Sequence, residues 1–475
     1  MTEIELTPLL PEIALLILGC LVLMVDLFTT DREKQSCYLV TQLGLIGIAI
    51  YLATHLPIKA FDYYLDTFRV DIFSQLLKIA LIIISTLAVV YGRVFIRGRK
   101  FLRGEFYALV IFAVLGMCIL VSGGHLLTLY LGLELLSLTM YAMIAMERGN
   151  SIGSEAAVKY FITGAIASGF ILYGISLIYG ITGQLGLTAI AEAIAVTEHP
   201  LLVSFAMIFI VAGVAFKLGL VPFHMWLPDV YQGSPTAITT FIASAPKIAV
   251  FGLTVRLLVE TFSDLTEAWQ PLILVAGVLS IAIGNLVAIA QTDLKRLLAY
   301  SGIAHMGYMI LGIYAGGSVG HSAAMYYVIT YALMTTAGFG LIIFLSRESY
   351  IYETLDEIKG LGRKNPWYGL MMSFVMLSMA GIPPFIGFWP KLEIFRSLVL
   401  NGYWQLAVFA VIFSVVGLFY YLRVIKLIYF DAPEHEFQFV RSRSIRFAIT
   451  FNCLALLLFG LVPDTIYQFC LDAFT

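Results

Sequence analysis

Charged side chains inside long apolar runs are the residues of this sequence whose types could do chemistry. A charge at the centre of a bilayer costs at least ~2.5–3.5 kcal/mol, so such residues generally face the interior of a helix bundle and pair with an opposite charge or water. Among the acids, Glu134 lies in the middle of an apolar run, and its most economical partner is an intramembrane lysine. The basic residues inside or at the edges of such runs are Lys78, Lys159, Lys217, Lys247, Arg256, Lys391 and Arg396.

Lysine suits proton transfer because burial lowers the pKa of its ammonium group by up to ~3–5 units, whereas a nearby carboxylate raises that pKa again. A lysine that alternates between Glu134 and a drier site would therefore bind and release a proton in turn. Arginine stays charged and cannot do this, so Arg256, near the end of its run, is interpreted as a side chain that extends toward the interface. The role of Lys78 is left open. The residues expected to form a relay are Glu134, Lys217, Lys247 and Lys391, with Lys159 as a further candidate.

Two proline-interrupted runs show internal symmetry. The first reads FKLGLVPFHMWLP over 216–228 and the second GIPPFIGFWPK over 381–391. Each holds a lysine, a Pro-Phe step and a further proline six residues after the proline that precedes the Phe. Proline removes a backbone donor and clashes with the preceding turn, and broken helices at corresponding places in two halves mark the midplane site of a transporter. The residues predicted to break these helices are Pro222, Pro228, Pro383, Pro384 and Pro390.

Two histidines and one further lysine are candidates for the same relay. His224 lies within the first break, and His305 lies on a predicted span, where a buried structural histidine is the alternative; an unperturbed imidazole titrates near ~6.5. Lys295 begins the span of His305 and is either part of the relay or a cytoplasmic residue. The histidines and the five cysteines have no metal-ligand spacing, so neither a metal nor a cofactor is expected in this chain.

Membrane-spanning helices must position these residues. Of the 475 residues, 60% are hydrophobic and 12% are charged, about half the charge of soluble domains. The apolar runs are too continuous for barrel strands, so the sequence predicts an all-α polytopic membrane protein. The fourteen predicted spans lie near 9–28, 39–56, 70–92, 105–121, 124–146, 157–181, 201–240 (interrupted), 245–262, 271–290, 297–316, 321–345, 368–400 (interrupted), 404–426 and 446–468.

Basic residues in the loops predict the orientation. Most of the 28 basic residues fall in one set of alternate loops, including the cluster at 97–103, whereas the opposite loops hold only Lys59 and Arg69. By the positive-inside rule, this asymmetry predicts an even number of spans with both termini outside the cytoplasm. The acidic start favours a retained first span over a cleaved signal. A net charge of −2 without a long basic run gives no reason to expect nucleic acid.

Four stretches resemble the antiporter-like subunits shared by respiratory complex I and multisubunit sodium/proton antiporters. Within that family, the chain length, the compact C-terminus and the sequence PDVYQG at 228–233 look most like the N subunits of bacterial complex I. The M subunits and the antiporter D subunits are the alternatives. The four stretches are LGLELLSL (131–138), FKLGLVPFHMWLPDVYQGSPT (216–236), QTDLKRLLAYSGIAHMGY (291–308) and MAGIPPFIGFWPK (379–391).

The resemblance implies two inverted repeats of five spans, 105–262 and 271–426. It implies that Glu134 pairs with Lys217, that Lys247 continues the path toward the middle, and that Lys391 serves the second half-channel. Lys159 sits where the family often places a further basic residue.

The resemblance also implies a function and partners. The chain would translocate protons in the bacterial inner membrane as a subunit of NADH:quinone oxidoreductase, beside other antiporter-like and small helical subunits. NADH, FMN, iron–sulfur clusters and quinone would be bound by other subunits. The alternatives are a sodium/proton antiporter subunit that needs no redox partner and a purely structural scaffold, which would tolerate loss of Lys217, Lys247 and Lys391.

Overall fold

The structure is a computed structural model that describes residues 6–29, 34–57, 59–97, 104–147, 149–346, 353–433, 437, 439 and 442–475. Part of the basic cluster at 97–103 and several other basic loop residues therefore lie outside the described residues. These are Arg32, Arg99, Lys100, Arg103, Arg148, Arg347 and Arg441, together with His435.

Long apolar helices make up most of the first half, because a helix satisfies every backbone group within its own segment in lipid. One short β-hairpin, between the second and third helices, consists of antiparallel strands β1 (Phe61–Tyr63) and β2 (Phe68–Val70). The helices are α1 (Leu10–Phe28), α2 (Gln35–Thr54), α3 (Ile72–Arg97), α4 (Gly104–Ser122), α5 (Leu126–Ile144), α6 (Ser151–Thr182), α7 (Leu187–Ala195), α8 (Pro200–Leu218), α9 (Trp226–Gly233), α10 (Thr236–Ile242) and α11 (Ala245–Thr254), which continues as a π-helix over Val255–Thr261.

The second half repeats this pattern of long helices with one broken helix. Short 3₁₀ turns lie at Ser263–Leu265 and Asp356–Ile358. The helices are α12 (Thr266–Ile289), α13 (Leu294–Ala315), α14 (Gly317–Leu345), α15 (Leu361–Lys364), α16 (Pro366–Ala380), α17 (Phe388–Leu400), α18 (Trp404–Tyr429), α19 (Arg443–Leu461) and α20 (Asp464–Asp472).

The predicted all-α membrane fold is confirmed. Within the described ranges, 13 helical segments are long and apolar enough to span a membrane. The shorter apolar helix α16, followed across a break by α17, accounts for the remaining predicted span. Three boundaries were wrong. The first interrupted span ends at Gly233, the span that follows has its own break at Ser244, and the last span ends at Leu461 before the short helix α20.

The bundle has two ends, which we call the hairpin end and the basic end. At the hairpin end, Gly124 N–H donates to the Thr67 carbonyl at 3.1 Å, which ties β2 to the start of α5. The last helix reaches the same end, where the rings of Phe73 and Phe474 lie 5.3 Å apart. Because α1 also begins there, the first and the last described residues lie on one side, as the even number of spans predicts. The basic end carries basic residues of the loops and of the adjoining helix ends, namely Lys34, Lys295, Arg296, Lys359, Arg363, Lys364, Arg423 and Lys426.

The helical segments that carry Lys247, Lys295 and His305 lie at the centre of the bundle. In the apolar windows of Thr236–Thr261 and Leu294–Ala315, 94% of the residues are buried, against 33% for Thr7–Phe28 and 28% for Trp404–Tyr429. Small residues allow close helix packing, as is typical in membranes. A Cβ atom at Gly116 would lie 2.8 Å from the backbone of α5, so α4 and α5 meet backbone to backbone there.

Candidate functional site

The first broken helix leaves two carbonyl groups without helical partners. Helix α8 ends at Leu218, Gly219 takes the left-handed conformation (φ 77°), and the Val221–Pro222 peptide is cis. The chain turns away here, so the carbonyl oxygens of Lys217 and Leu218 receive no donor from a following turn. The Lys247 ammonium group from α11 supplies it, with Nζ 3.1 Å and 2.8 Å from these two oxygens. Lys247 thus caps the end of α8.

The second broken helix has the same construction. Helix α16 ends at Ala380, Gly381 is left-handed (φ 81°), and the Pro383–Pro384 peptide is cis. The carbonyl oxygens of Met379 and Ala380 accept hydrogen bonds from Lys391 Nζ at 3.1 Å and 2.9 Å. A third contact joins this ammonium group to Ser414 Oγ at 3.3 Å.

The two breaks correspond residue by residue. Gly219 matches Gly381, and at the same separation Lys217 matches Met379 and Asp229 matches Lys391. The lysines in the two segments are therefore not at matching positions. In space, Lys391 takes the place of Lys247, because each caps the equivalent pair of carbonyl groups at its own break.

The predicted helix-breaking prolines divide into two groups. Pro222, Pro383 and Pro384 lie within the breaks. Pro228 and Pro390 do not: each is the third residue of the helix that follows, α9 and α17. Proline is tolerated in a first turn because its missing N–H has no partner to lose there.

Lys217 is buried beside the first break and is bonded to hydroxyl groups. Its Nζ donates to Ser137 Oγ at 2.8 Å and to Ser168 Oγ at 3.2 Å. A cavity of about 10 Å³ lies between Lys217 and Lys247, bordered by Ser137 and Trp226. That volume is at the lower limit for one water molecule.

The expected Glu134–Lys217 ion pair is absent from the contacts of the described residues. Ser137, one turn further along α5, occupies the position next to the ammonium group. Glu134 Oε1 is buried and has no hydrogen-bond partner in the described part of the chain. Glu134 is half-buried and shares its helix face with the exposed Leu131 and Leu138, so its position on α5 is at the outer side of the bundle although Oε1 is covered. The spacing of these three residues on one helix is the signal that sequence reasoning missed.

The two candidate histidines have different surroundings. His224 is buried within the first break, and its Nδ1 has no hydrogen-bond partner among the residues that the structure describes. His305 is buried on α13 between two tyrosines, with Nδ1 2.7 Å from Tyr327 Oη and Nε2 3.1 Å from Tyr421 Oη. A neutral imidazole can satisfy both contacts, because one nitrogen donates and the other accepts.

Lys295 and Lys159 lie at the basic end, away from the breaks. Lys295 is buried (1% exposed), its Nζ lies 2.8 Å from Glu353 Oε1, and it donates to the Ser234 carbonyl at 3.0 Å. The side chain of Lys159 is 46% exposed and contacts Glu155 and Asp229, both at 2.9 Å. Lys159 is therefore not brought together with Lys217.

Arg256 is not a side chain that extends toward the interface. It is 1% exposed and forms ion pairs at 2.7 Å with Asp71 and with Glu260. Arg69 of the hairpin joins the same cluster through Glu260 at 2.8 Å. Burial raises the pKa of Asp71, but the charge of Arg256 and the hydrogen bonds from Ser74 outweigh burial and hold it below its ordinary value. The acidic partners keep this arginine inside.

A second buried ion pair joins α1 to α3. Lys78, whose role the sequence left open, lies with its Nζ 2.6 Å from Glu12 Oε1. Sequence reasoning missed Glu12, although an acid at the start of the first apolar run was the available signal. No group of three or more His, Cys, Asp or Glu residues within the described ranges is placed to hold a metal ion.

Comparison with known proteins gives full-length matches. A protein from Nitrosomonas europaea named NADH-quinone oxidoreductase subunit N is 44% identical over 471 residues, covering 99% of this chain and 98% of the relative. A protein of the same name from Laribacter hongkongensis is 46% identical over 475 residues, with 99% and 98% coverage. The family described as NADH:quinone oxidoreductase/Mrp antiporter matches residues 123–417.

Solved structures share the fold. A chain of respiratory complex I from Thermus thermophilus with bound aureothin is 33% identical, with a TM-score of 0.81 and coverage of 97% of this chain and 99% of that chain. A chain of the Mrp complex from Dietzia sp. superposes with a TM-score of 0.84 at 19% identity, covering 100% and 97% of the two chains. At that identity the second match concerns the fold alone.

Proposed function

Because the chain belongs to the membrane-subunit family that NADH:quinone oxidoreductases and Mrp antiporters share, we propose that it is subunit N of an NADH:quinone oxidoreductase and translocates protons. Its full-length relatives carry that name. Partner subunits would oxidise NADH and reduce quinone, and this chain would use the free energy released. Moving one charge against 100 mV takes ~2.3 kcal/mol.

The observation that carries the proposal is the capping of both helix breaks by lysine. Lys247 has two carbonyl acceptors, and Lys391 has two carbonyl acceptors and a serine hydroxyl. A neutral amine keeps two N–H donors and gains a lone pair. Each lysine can therefore lose its proton and still satisfy both carbonyl groups, and Lys391 can then accept from Ser414. An arginine would not offer two such states.

We infer a path through the first half from the neighbours of these groups. Glu134 lies on the outer side, and Ser137 stands between its turn and Lys217. The water-sized cavity then connects Lys217 to Lys247. In this arrangement Glu134 exchanges a proton with Lys217 either through the Ser137 hydroxyl group or after its own side chain rotates. The direct Glu134–Lys217 ion pair is then one state of the transport cycle. His224, Lys295 and Lys159 would act as peripheral members.

We propose that Lys391 and His305 serve the second half in the same way. The two repeats would be 105–262 and 271–426, which is supported by the matching geometry of the breaks. The membrane would be the bacterial inner membrane, with the basic end in the cytoplasm and both termini in the periplasm, as the loop charges favour. The partners would be neighbouring antiporter-like and small helical subunits.

The test is NADH-driven proton uptake in inverted membrane vesicles from cells carrying Lys217→Ala. Assembly is checked by the amount of intact complex, and Lys426→Ala, at an exposed lysine of the basic end, is the matched control. We expect uptake to fall in the first variant only. Normal uptake with an assembled Lys217→Ala complex would contradict the relay. Unchanged uptake combined with sodium sensitivity of the cells would point to a separate antiporter.

A further inference from the structure

Outside both broken helices, the Glu12–Lys78 pair is the most deeply buried lysine–carboxylate pair in the described ranges. The side chains are 6% and 2% exposed, and Lys78 Nζ lies 2.6 Å from Glu12 Oε1. Neither carboxylate oxygen of Glu12 has a hydrogen bond of regular geometry among the described residues, and Oε2 has no ion-pair contact either. The ammonium group also lies 4.9 Å from the centre of the Phe68 ring on β2. The pair thus sits inside the hairpin end of the bundle with one carboxylate oxygen unused.

A cavity of about 460 Å³ borders this pair. It lies between the starts of α1 and α5, the end of α4 and the hairpin. Glu12 lines it directly, whereas Lys78 lies behind the carboxylate. Tyr64, Thr67 and Thr128 also line this space, although most of the lining is apolar. The cavity is large enough to hold several water molecules beside the Glu12 side chain, whose carboxylate oxygens are themselves covered by neighbouring atoms.

Stability alone is a weak explanation for this pair. Burying two opposite charges costs about as much desolvation as their attraction returns, and apolar residues of similar volume often replace such pairs without loss. Arg256, near the same end, forms an ion pair that cannot exchange protons because arginine stays charged. Lysine and glutamate side chains, unlike arginine, each exist both with and without their proton.

We propose that Glu12 and Lys78 form an additional proton-binding site, which exchanges protons with the cavity at the hairpin end. Uptake of one proton from water in the cavity, after the covered Glu12 side chain turns toward that water, converts the carboxylate to the acid and leaves one positive charge on Lys78. Release of that proton to the cavity restores the neutral pair. The proposal rests on the proposed function, since it adds a site at the hairpin end to a chain that already moves protons.

The experiment measures proton uptake per NADH oxidised in inverted vesicles. The variants are Glu12→Gln, Lys78→Met and the double variant Glu12→Leu/Lys78→Leu, each checked for intact complex. We expect all three to oxidise NADH and to lose at least about half of the proton uptake. The matched control is Asp26→Asn/Lys34→Met, which removes a partly exposed pair at the other end of α1, where the Nζ–Oδ1 distance is 2.7 Å.

Full uptake in the assembled double variant would overturn the proposal, because the pair would then be structural. If the double variant fails to assemble, Glu12→Gln decides. The infrared signal of a protonated carboxylic acid should appear on acidification of the wild-type complex and be missing in this variant, and its persistence would overturn the proposal. Lys217→Ala in parallel vesicles separates the two ideas: normal uptake there is a failure of the proposed function itself.

Discussion

A lysine that caps a helix end can donate to the terminal carbonyl groups in either of its protonation states. Its ammonium group donates to two carbonyl groups at each break, and the neutral amine can still do so. At the residue scale, the chemistry of this chain therefore depends on whether the capping group can lose its proton. Arginine at the same place would retain the charge and the hydrogen bonds while removing that ability.

Replacing Lys391 with arginine tests this point. We expect Lys391→Arg to assemble and to lower NADH-driven proton uptake by about tenfold, which corresponds to a barrier increase of ~1.4 kcal/mol. The measurement is the initial uptake rate in inverted vesicles, with Lys364→Arg, at an exposed lysine of the basic end, as control. Uptake close to that of the wild type would show that position 391 needs only a charge.

For the buried Arg256 we predict an effect on stability and not on proton transfer. Asp71→Asn would leave Arg256 (1% exposed) with Glu260 only, and breaking such a pair costs about 3–5 kcal/mol. The lowered pKa of Asp71 means that its contribution is fully present above the ordinary aspartate pKa of ~3.9 and is lost as pH falls through the lower value of the folded state.

Thermal unfolding of the purified complex measures this contribution. The melting temperature of Asp71→Asn should lie below that of the wild type at neutral pH, and the difference should shrink as the pH falls below ~3.9. Asp264→Asn, at an exposed aspartate of the same end, should melt like the wild type at every pH. A constant difference between Asp71→Asn and the wild type across this range would exclude the electrostatic origin.

At the scale of elements, each break needs a residue without a side chain directly after the helix. At Gly381, the backbone is left-handed, and a Cβ atom would lie 2.8 Å from Lys391 Cδ and 3.1 Å from its Nζ. The close approach of the lysine to the end of α16 therefore depends on glycine. Gly402, in the loop before α18, has a similar φ of 83°, but a Cβ atom added there would meet no heavy atom within 4 Å.

This contrast gives a matched pair of variants. Gly381→Ala and Gly402→Ala should carry the same backbone cost, about 1–2 kcal/mol, but only the first displaces the Lys391 side chain. We expect proton uptake to fall several-fold in Gly381→Ala and to stay near the wild-type rate in Gly402→Ala, with both complexes assembled. Equal losses in the two variants would mean that backbone strain, and not the lysine, is responsible.

The helices could be predicted well from the sequence, because the position of proline and the length of an apolar run determine helix breaks and spans within a single segment. The breaks at Pro222 and Pro384 follow directly from the missing N–H group. The break at Ser244 was missed, since Pro246 at the start of α11 resembles an ordinary helix start. The hydrogen-bond partner Ser168 of Lys217 and the ion-pair partner Asp71 of Arg256 are far away in sequence. No local sequence pattern could therefore have predicted either contact.

At the scale of the whole molecule, the helices place the first and last described residues and the hairpin at one end, and most of the described basic residues near helix ends at the other. Cysteine labelling tests the orientation that the charges favour. In a Cys20→Ser background, we expect Gly402→Cys to react with a membrane-impermeant maleimide in spheroplasts and Lys364→Cys only in inverted vesicles. The reverse pattern would place the hairpin end in the cytoplasm and contradict the positive-inside assignment.

Lysines from different helices cap the equivalent carbonyl groups of the two breaks. Matching the two halves by sequence position and matching them by position in space therefore pair different residues. Descent from a duplicated segment would make Lys391 the counterpart of Asp229 and would leave Lys247 without a lysine counterpart. The nitrogen atoms nevertheless occupy the same local position. A sequence alignment of the two halves therefore does not match Lys247 with Lys391, whereas a structural comparison of the two breaks does.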